Sequence, residues 1–333
     1  SVETLSTEVT AEEARAAAFG GLSERLSRDT AAAKTPPREE PAQALVPSPE
    51  RAMRAPVHVP GVVKAAYRLL HKRTYLDWGL TSDWEVAGTR RRMRRQPGGE
   101  PVSLAEYASP VDRGVTHGSE GYGELTEGSV QKVLLLLQHL TASLAVESCE
   151  LAPGTVFTGR GKGLARTETH NLSPSSTFVD IGAGYGKVVL HAKLAFEVAD
   201  AEGIEYVSSR AAKAQEALEE LRSGESAMVT SEAVRSELAE RLARGVAMRH
   251  ADATAVASFP QTHVYLYDKV FTDRTQEAIA RILDKSPFHV LVTYRRPESW
   301  VKCGLRGLVE VARVPVLSTG QQHFCAHVCL RDI

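Results

Sequence analysis

From about residue 118 onward, apolar positions alternate between two rhythms. Val130, Val133, Leu134, Leu137 and Leu140 recur at helical spacing and predict one amphipathic helix. Residues 177–181 (Thr-Phe-Val-Asp-Ile) form a short apolar run that stops at glycines, the pattern of a buried strand. Val188, Val189, Ala192, Ala195, Phe196 and Ala199 then mark a helix that would pack on it. A second strand is predicted to end at Gly203-Ile204-Glu205. Helices follow over 207–222 and 230–244, broken at Ser223-Gly224. Strands are expected over 245–249, 262–267 and 288–294, with a helix over 274–285 between the last two. Residues 307–316 and 321–331 read as two strands around Ser318-Thr319-Gly320, a hairpin. Strands alternating with helices imply a doubly wound, mostly parallel α/β sheet, to which the hairpin adds an antiparallel edge.

The first third differs. Seven of the 16 prolines lie between Pro36 and Pro60, and Pro36-Pro37-Arg38-Glu39-Glu40-Pro41 can be neither helix interior nor central strand. Ahead of it, residues 10–28 carry the weak apolar face of a peripheral helix. The expected organisation is a Pro-rich segment over 1–60, a basic helical region over 61–117 and a catalytic domain over 118–333. Overall charge is nearly balanced, with 40 Lys and Arg against 41 Asp and Glu, so any polyanion must be met by a local patch. Residues 51–97 supply one, with eleven Lys or Arg against three acids, densest at Arg90, Arg91, Arg92, Arg94 and Arg95. That run fits nucleic-acid contact or nuclear import. The longest apolar run, Val133 to Leu137, is far short of the roughly 20 residues a membrane helix needs, so no membrane partner is expected. The few cysteines suit a reducing compartment.

The strongest chemical signal is Phe178-Val179-Asp180-Ile181-Gly182-Ala183-Gly184-Tyr185-Gly186-Lys187. A strand stops at three alternate glycines and a helix begins, so free N–H groups face an approaching ligand. The G-x-G-x-G spacing differs from the dinucleotide fingerprint and favours S-adenosylmethionine over NAD. Glu205, at the next strand's end, stands where a carboxylate takes ribose hydroxyls, and Asp252 with Ala253 could reach the adenine.

With Tyr122-Gly123-Glu124 ahead of the first long helix, these motifs resemble the disruptor-of-telomeric-silencing family, the histone lysine methyltransferases that lack a SET domain. Gln321-Gln322-His323-Phe324 in the hairpin fits as well. The resemblance implies a class I methyltransferase fold with a seven-stranded sheet. It implies that Tyr122, Gly123, Glu124 and Leu125 cover the methionine end of the cofactor and that Phe178 to Lys187 cradle it. It further implies a nuclear enzyme acting on a core lysine of histone H3 in nucleosomes. Where that family has Asn-Asn-Phe, this chain has Tyr267-Asp268-Lys269-Val270-Phe271. Asp268 is then expected beside the transferred methyl group, contacting the cofactor and drawing in the lysine ammonium.

Methyl transfer needs an in-line approach by a neutral amine, and neutralising a free lysine at pH 7 costs about 4.6 kcal/mol. A desolvated aromatic channel lowers that cost. Its expected walls are Tyr185, Phe271, Tyr294 and Trp300, with Tyr294 to Trp300 as the substrate-facing loop. His323, Cys325, His327 and Cys329 share one strand face, but collinear ligands about 6.6 Å apart cannot close a tetrahedron, so no metal is expected. Residues 159–167, glycine-rich and basic, read as a mobile loop or a flap. The alternatives are a class I methyltransferase for RNA, a small molecule or a non-histone protein, and a cofactor-binding scaffold that turns over weakly.

Overall fold

The structure is a computed structural model, and it describes residues 57–76, 124–164, 168–319 and 322–332. The helix expected over 10–28, the Arg90–Arg95 run, Tyr122 and Gly123 lie outside the described residues.

Chain order is α1 (Gly61–Leu76), α2 (Glu127–Gln138), α3 (Leu140–Val146), β1 (Val156–Phe157), β2 (Thr177–Ile181), α4 (Lys187–Phe196) and β3 (Asp200–Glu205). Then follow α5 (Ser208–Ser223), α6 (Glu232–Leu242), β4 (Val246–His250), β5 (His263–Tyr265), α7 (Asp273–Leu283), β6 (Val290–Thr293), α8 (Pro297–Lys302), β7 (Leu308–Leu317) and β8 (His323–Arg331). The strands form one sheet in the order β1-β7-β8-β6-β5-β2-β3-β4. The five strands from β6 to β4 are parallel, and β8, β7 and β1 are antiparallel additions.

The doubly wound α/β expectation holds, with two corrections. The sheet has eight strands, not seven: Val156–Phe157 pairs with Ala312 and Arg313 on the outer edge of β7. Two residues give no readable alternation, so only the pairing reveals the strand. The helix predicted through Leu140 breaks at His139, and its two halves meet at 78°. Leu140 is buried through α3, beyond the bend.

Side chains alternate between two apolar layers, as period-2 strands require. Phe178, Tyr265, Val290 and Val292 face α1, α2 and α4, while Val179, Ile181, Val264 and Leu291 face α7 and α8. Helix α1 presents Val62, Val63, Ala66, Leu69 and Leu70 to the first layer. It also docks through polar groups. The Tyr67 hydroxyl lies 3.1 Å from His191 Nδ1, and His191 Nε2 lies 2.6 Å from Gln131 Oε1. The glycine-rich segment is not a free loop throughout, since Arg160–Gly163 forms a 3-10 turn. A Cβ on Gly161 would come within 3.1 Å of Val311.

Burial holds two histidines neutral. It pushes His191 down to about 3 and His263 to about 4, the latter although His263 Nε2 bonds the His170 carbonyl. Both folded values lie below the ordinary 6.5, so the unfolded chain binds more protons through that window. Stability is therefore full above pH 6.5 and falls as pH drops toward 4, by an expected several kcal/mol. Urea midpoints measured from pH 7.5 to 4 test this. A constant midpoint would mean that these rings are hydrated.

Candidate functional site

The glycine loop forms because β2 ends where its backbone must curl over β3. Gly182 and Ala183 both donate N–H bonds to the Ile204 carbonyl, at 2.8 and 3.0 Å. Gly182, Gly184 and Gly186 sit at φ of 80°, 56° and 78°, in the left-handed region that glycine enters at no steric cost. A Cβ on Gly186 would also collide with Met248 Cε, on β4.

Glu205 closes this loop from the end of β3. Its Oε2 accepts the Gly184 N–H at 2.7 Å and its Oε1 accepts the Val207 N–H at 2.8 Å. Each oxygen keeps a lone pair for a further donor. Asp180 is buried beside it. Burial, and then the Glu205 charge, push its carboxyl well above the usual carboxylate range. Lys187, the first residue of α4, pairs with Glu124 Oε2, while the buried Glu124 Oε1 has no hydrogen-bond partner among the described residues. At the end of β4, Asp252 Oδ1 caps a short turn by accepting the Thr254 N–H at 2.8 Å, leaving its other oxygen outside that cap. Ala253 is the first residue of that turn.

Glu124 and Leu125 are held by the hairpin. His327 pairs with Thr293, the last residue of β6, so residues 323–326 and 314–317 run on beyond the parallel strands' carboxyl ends. Leu125 bridges Ser318, Thr126 N–H donates to the Leu317 carbonyl, and Thr319 N–H donates to the Glu124 carbonyl, both at 2.9 Å. The hairpin end thus fixes the acid that meets Lys187 over the glycine loop. Sequence spacing carries no sign of this arrangement, because about 190 residues separate its partners.

Three acids, Asp180, Glu205 and Glu124, therefore converge on the loop with one lysine among them. One of them has an orphaned oxygen, and another is disfavoured as an anion. A ligand bearing an ammonium, a sulfonium and vicinal hydroxyls supplies the missing charge and donors, so the residues present fit S-adenosylmethionine.

Asp268 opens the short turn that follows β5, and its carboxylate is not open to a substrate. Its Oδ1 accepts the N–H groups of Tyr294 and Arg295 at 2.7 and 3.0 Å. Its Oδ2 accepts the Thr293 hydroxyl and the Trp300 indole N–H, and the residue is 0 % exposed. The expectation that it draws in a lysine ammonium is corrected on this ground: four donors already fill it. Arg295 completes the clamp, donating from Nε to the Asp268 carbonyl and from its guanidinium to Asp273, Gln276 and the Phe271 carbonyl. No motif or spacing in the sequence marks Arg295 or Thr293 for these parts.

The aromatic residues divide. Trp300 is wholly buried under Asp268 and is no channel wall. Phe271 packs over Gly182, where a Cβ would meet its ring at 3.2 Å, and Tyr185 is buried within the loop. Tyr294 borders a cleft of about 860 Å³ between α8 and the hairpin. Its hydroxyl lies 2.7 Å from that of Tyr265. Tyr267 packs against Tyr294 at 4.9 Å and edge-on to Phe324 at 5.7 Å. Burial, reinforced by Asp268, pushes Tyr267 up to about 12, and burial keeps Tyr265 and Tyr294 neutral too. Phe324, absent from the expected walls, lines the cleft with Tyr294, and Tyr267 packs behind both. His323, Cys325 and His327 line the same cleft, while Cys329 is buried in the layer facing α7 and α8.

Residues 164–228 match the family model of the histone methylation protein DOT1. The matched stretch runs from before the glycine loop through Glu205 and α5. No curated protein matches the chain. Among solved structures, similarity reaches the magnesium protoporphyrin IX methyltransferase of Synechocystis PCC 6803 with bound SAM, at 13% identity, 78% of this chain, 97% of that one and a TM-score of 0.35. TrmN from Thermus thermophilus is 14% identical over 59% of this chain and 53% of its own, with a TM-score of 0.34. The B. subtilis M1A22 tRNA methyltransferase TrmK is 13% identical over 49% of this chain and 63% of its own, with a TM-score of 0.33.

Proposed function

We propose that this chain is a nuclear, S-adenosylmethionine-dependent protein-lysine methyltransferase whose acceptor is a core lysine of histone H3 in nucleosomes. The observation that carries the reading is the three-glycine loop closed by Glu205, lying inside the segment that matches the histone methylation family. When bound, S-adenosylmethionine supplies an electrophilic methyl group on a sulfonium.

The chain's own residues do the rest. Glu205 accepts ribose hydroxyls while its bonds to Gly184 and Val207 keep it oriented. Asp180 and the orphaned oxygen of Glu124 receive the ammonium of the amino-acid end, which favours the Asp180 anion that burial opposes. Asp252 and Ala253 face the adenine. In the cleft Tyr294 and Phe324, backed by Tyr267, exclude water from the acceptor amine. Desolvation disfavours the ammonium and lowers the cost of presenting a neutral nitrogen. Asp268 does not touch the acceptor; it sets the turn that presents Tyr294.

A labelled methyl donor incubated with nucleosomes, free histones and RNA tests the reading. Label is expected in histone H3 of nucleosomes. Label in RNA alone, or none anywhere from a chain that binds the cofactor, would overturn it in favour of a nucleic-acid enzyme or a weak scaffold.

A further inference from the structure

A lysine has to lose a proton before it can take a methyl group, and desolvation alone gives that proton no destination. The groups already described offer none. The Tyr294 hydroxyl is tied to that of Tyr265 at 2.7 Å, and Asp268 is filled by four donors. One side chain in the lining is placed differently. His327, on β8, shares the cleft between α8 and the hairpin with Tyr294 and Phe324.

The two ring nitrogens of His327 have unlike surroundings. Nδ1 lies 2.5 Å from Oε1 of Glu310, which is 2 % exposed on β7. Arg313 donates from Nε to Oε1 at 2.8 Å and from NH2 to Oε2 at 2.6 Å. Burial works to raise the Glu310 carboxyl, but the bonds from Arg313 and His327 outweigh it and hold it below its ordinary value. An ionised carboxylate can only accept, so Nδ1 carries the ring proton, and Nε2 of the neutral ring carries a lone pair. Among the described residues none bonds Nε2, and it is not sealed from the cleft.

Other charged groups share this lining. Cys325 and His323 precede His327 on its own strand, α8 brings Glu298 and Lys302, Arg296 caps α8, and Lys269 comes from the turn after β5. Lys269, Arg296 and Lys302 disfavour an ammonium in the cleft and so lower the cost of neutralising it. They disfavour an imidazolium as well, but only His327 has a carboxylate on its second nitrogen. The Arg313 charge is already matched by Glu310.

We propose that His327 is the general base that takes the proton from the acceptor lysine. The inference rests on the proposed lysine methylation, which brings the acceptor into this cleft. The ammonium gives one proton to Nε2. The N–H bonding pair stays on the lysine nitrogen as the lone pair that bonds the methyl carbon, while the C–S pair stays with sulfur. His327 becomes an imidazolium held through Nδ1–H by Glu310, then releases its proton to water. One proton leaves for each methyl group transferred, and the ring returns to its neutral form.

Histidine-selective ¹⁵N NMR tests the resting state with no methyl donor present. At neutral pH the His327 Nδ1 is expected to be protonated and Nε2 bare, the signal being assigned by its loss in His327→Asn. A proton on Nε2 overturns the proposal. His327→Asn keeps an amide N–H for Glu310 and has no basic nitrogen, and thermal melting checks that it folds. Single-turnover methyl transfer to nucleosomes at saturating cofactor is then followed against pH. The wild-type rate should rise through an imidazole ionisation and level off. The variant should be slower by at least about a hundredfold at neutral pH. Its rate should climb instead with ionisation of the acceptor, which for a free lysine lies at about 10.4, so the two proteins converge in alkali. A variant with the wild-type rate and profile overturns the base and leaves the enzyme reading standing. A variant slowed by one factor at every pH also overturns it, since His327 would then only position the hairpin. A wild type that labels no histone sinks both readings.

Discussion

A chain carrying Gly184→Arg is expected to fold and to bind no S-adenosylmethionine. Gly184 lies at φ 56°, and its N–H donates to Glu205 Oε2. A residue with a Cβ at that φ costs about 1–2 kcal/mol, which shifts the melting temperature without unfolding a sheet of eight strands. The guanidinium does more. It delivers a permanent cation to a loop ringed by Asp180, Glu205 and Glu124 and satisfies from within the acids that would receive the ligand. It also takes the volume that the ligand needs. The affinity loss should reach at least a hundredfold, about 2.8 kcal/mol. Calorimetric titration of the folded variant decides it, and wild-type affinity there would remove the cofactor site from this loop.

That loop is readable in the sequence because its chemistry is local. Ten consecutive residues carry the strand, the glycines and the helix start. Glu205 lies close to the spacing after Gly182 expected of a ribose-binding acid, and Asp252 follows the next strand, so their places come from spacing along the chain and not from an apolar rhythm, which both strands lack. The rest depends on residues far apart in the chain. Leu125 meets Ser318 because the hairpin outruns β6, an offset fixed by the Thr293–His327 register. The break at His139 is hidden by an apolar run buried on nearly every side, which keeps its helical rhythm whether straight or bent. Trp300 follows a strand-end loop, the place where a channel wall is expected. In α8 it turns inward instead, since its indole N–H has Thr293 and Asp268 to bond. The cleft is invisible in the sequence for a similar reason. Its lining residues Lys269, Lys302 and Arg313 are scattered over three elements and meet only through the fold.

Asp268 gives the sharpest remaining test, because sequence and geometry assign it different work. If its carboxylate faced the sulfonium, replacing it by Asn would remove a charge the cofactor feels and weaken cofactor binding markedly. The structure gives it four donors and no exposure. Asp268→Asn can keep its carbonyl oxygen on the Tyr294 and Arg295 N–H groups. Its amide then donates to the Thr293 hydroxyl, which already accepts the Trp300 N–H at 2.8 Å. A loss of about 1 kcal/mol in stability is expected, with near-normal cofactor affinity and turnover. Asp268→Ala strands both backbone N–H groups in a dry turn, at about 1–3 kcal/mol each. That turn carries Tyr294 at the inner end of the cleft, so methyl transfer should fall by at least tenfold, about 1.4 kcal/mol in barrier. Cofactor affinity should change little in either variant. Denaturant midpoints, cofactor titration and single-turnover rates on nucleosomes separate the two assignments. A stable Ala variant, or an Asn variant whose cofactor affinity drops more than tenfold, would return Asp268 to the sulfonium and remove it from the turn beneath Tyr294.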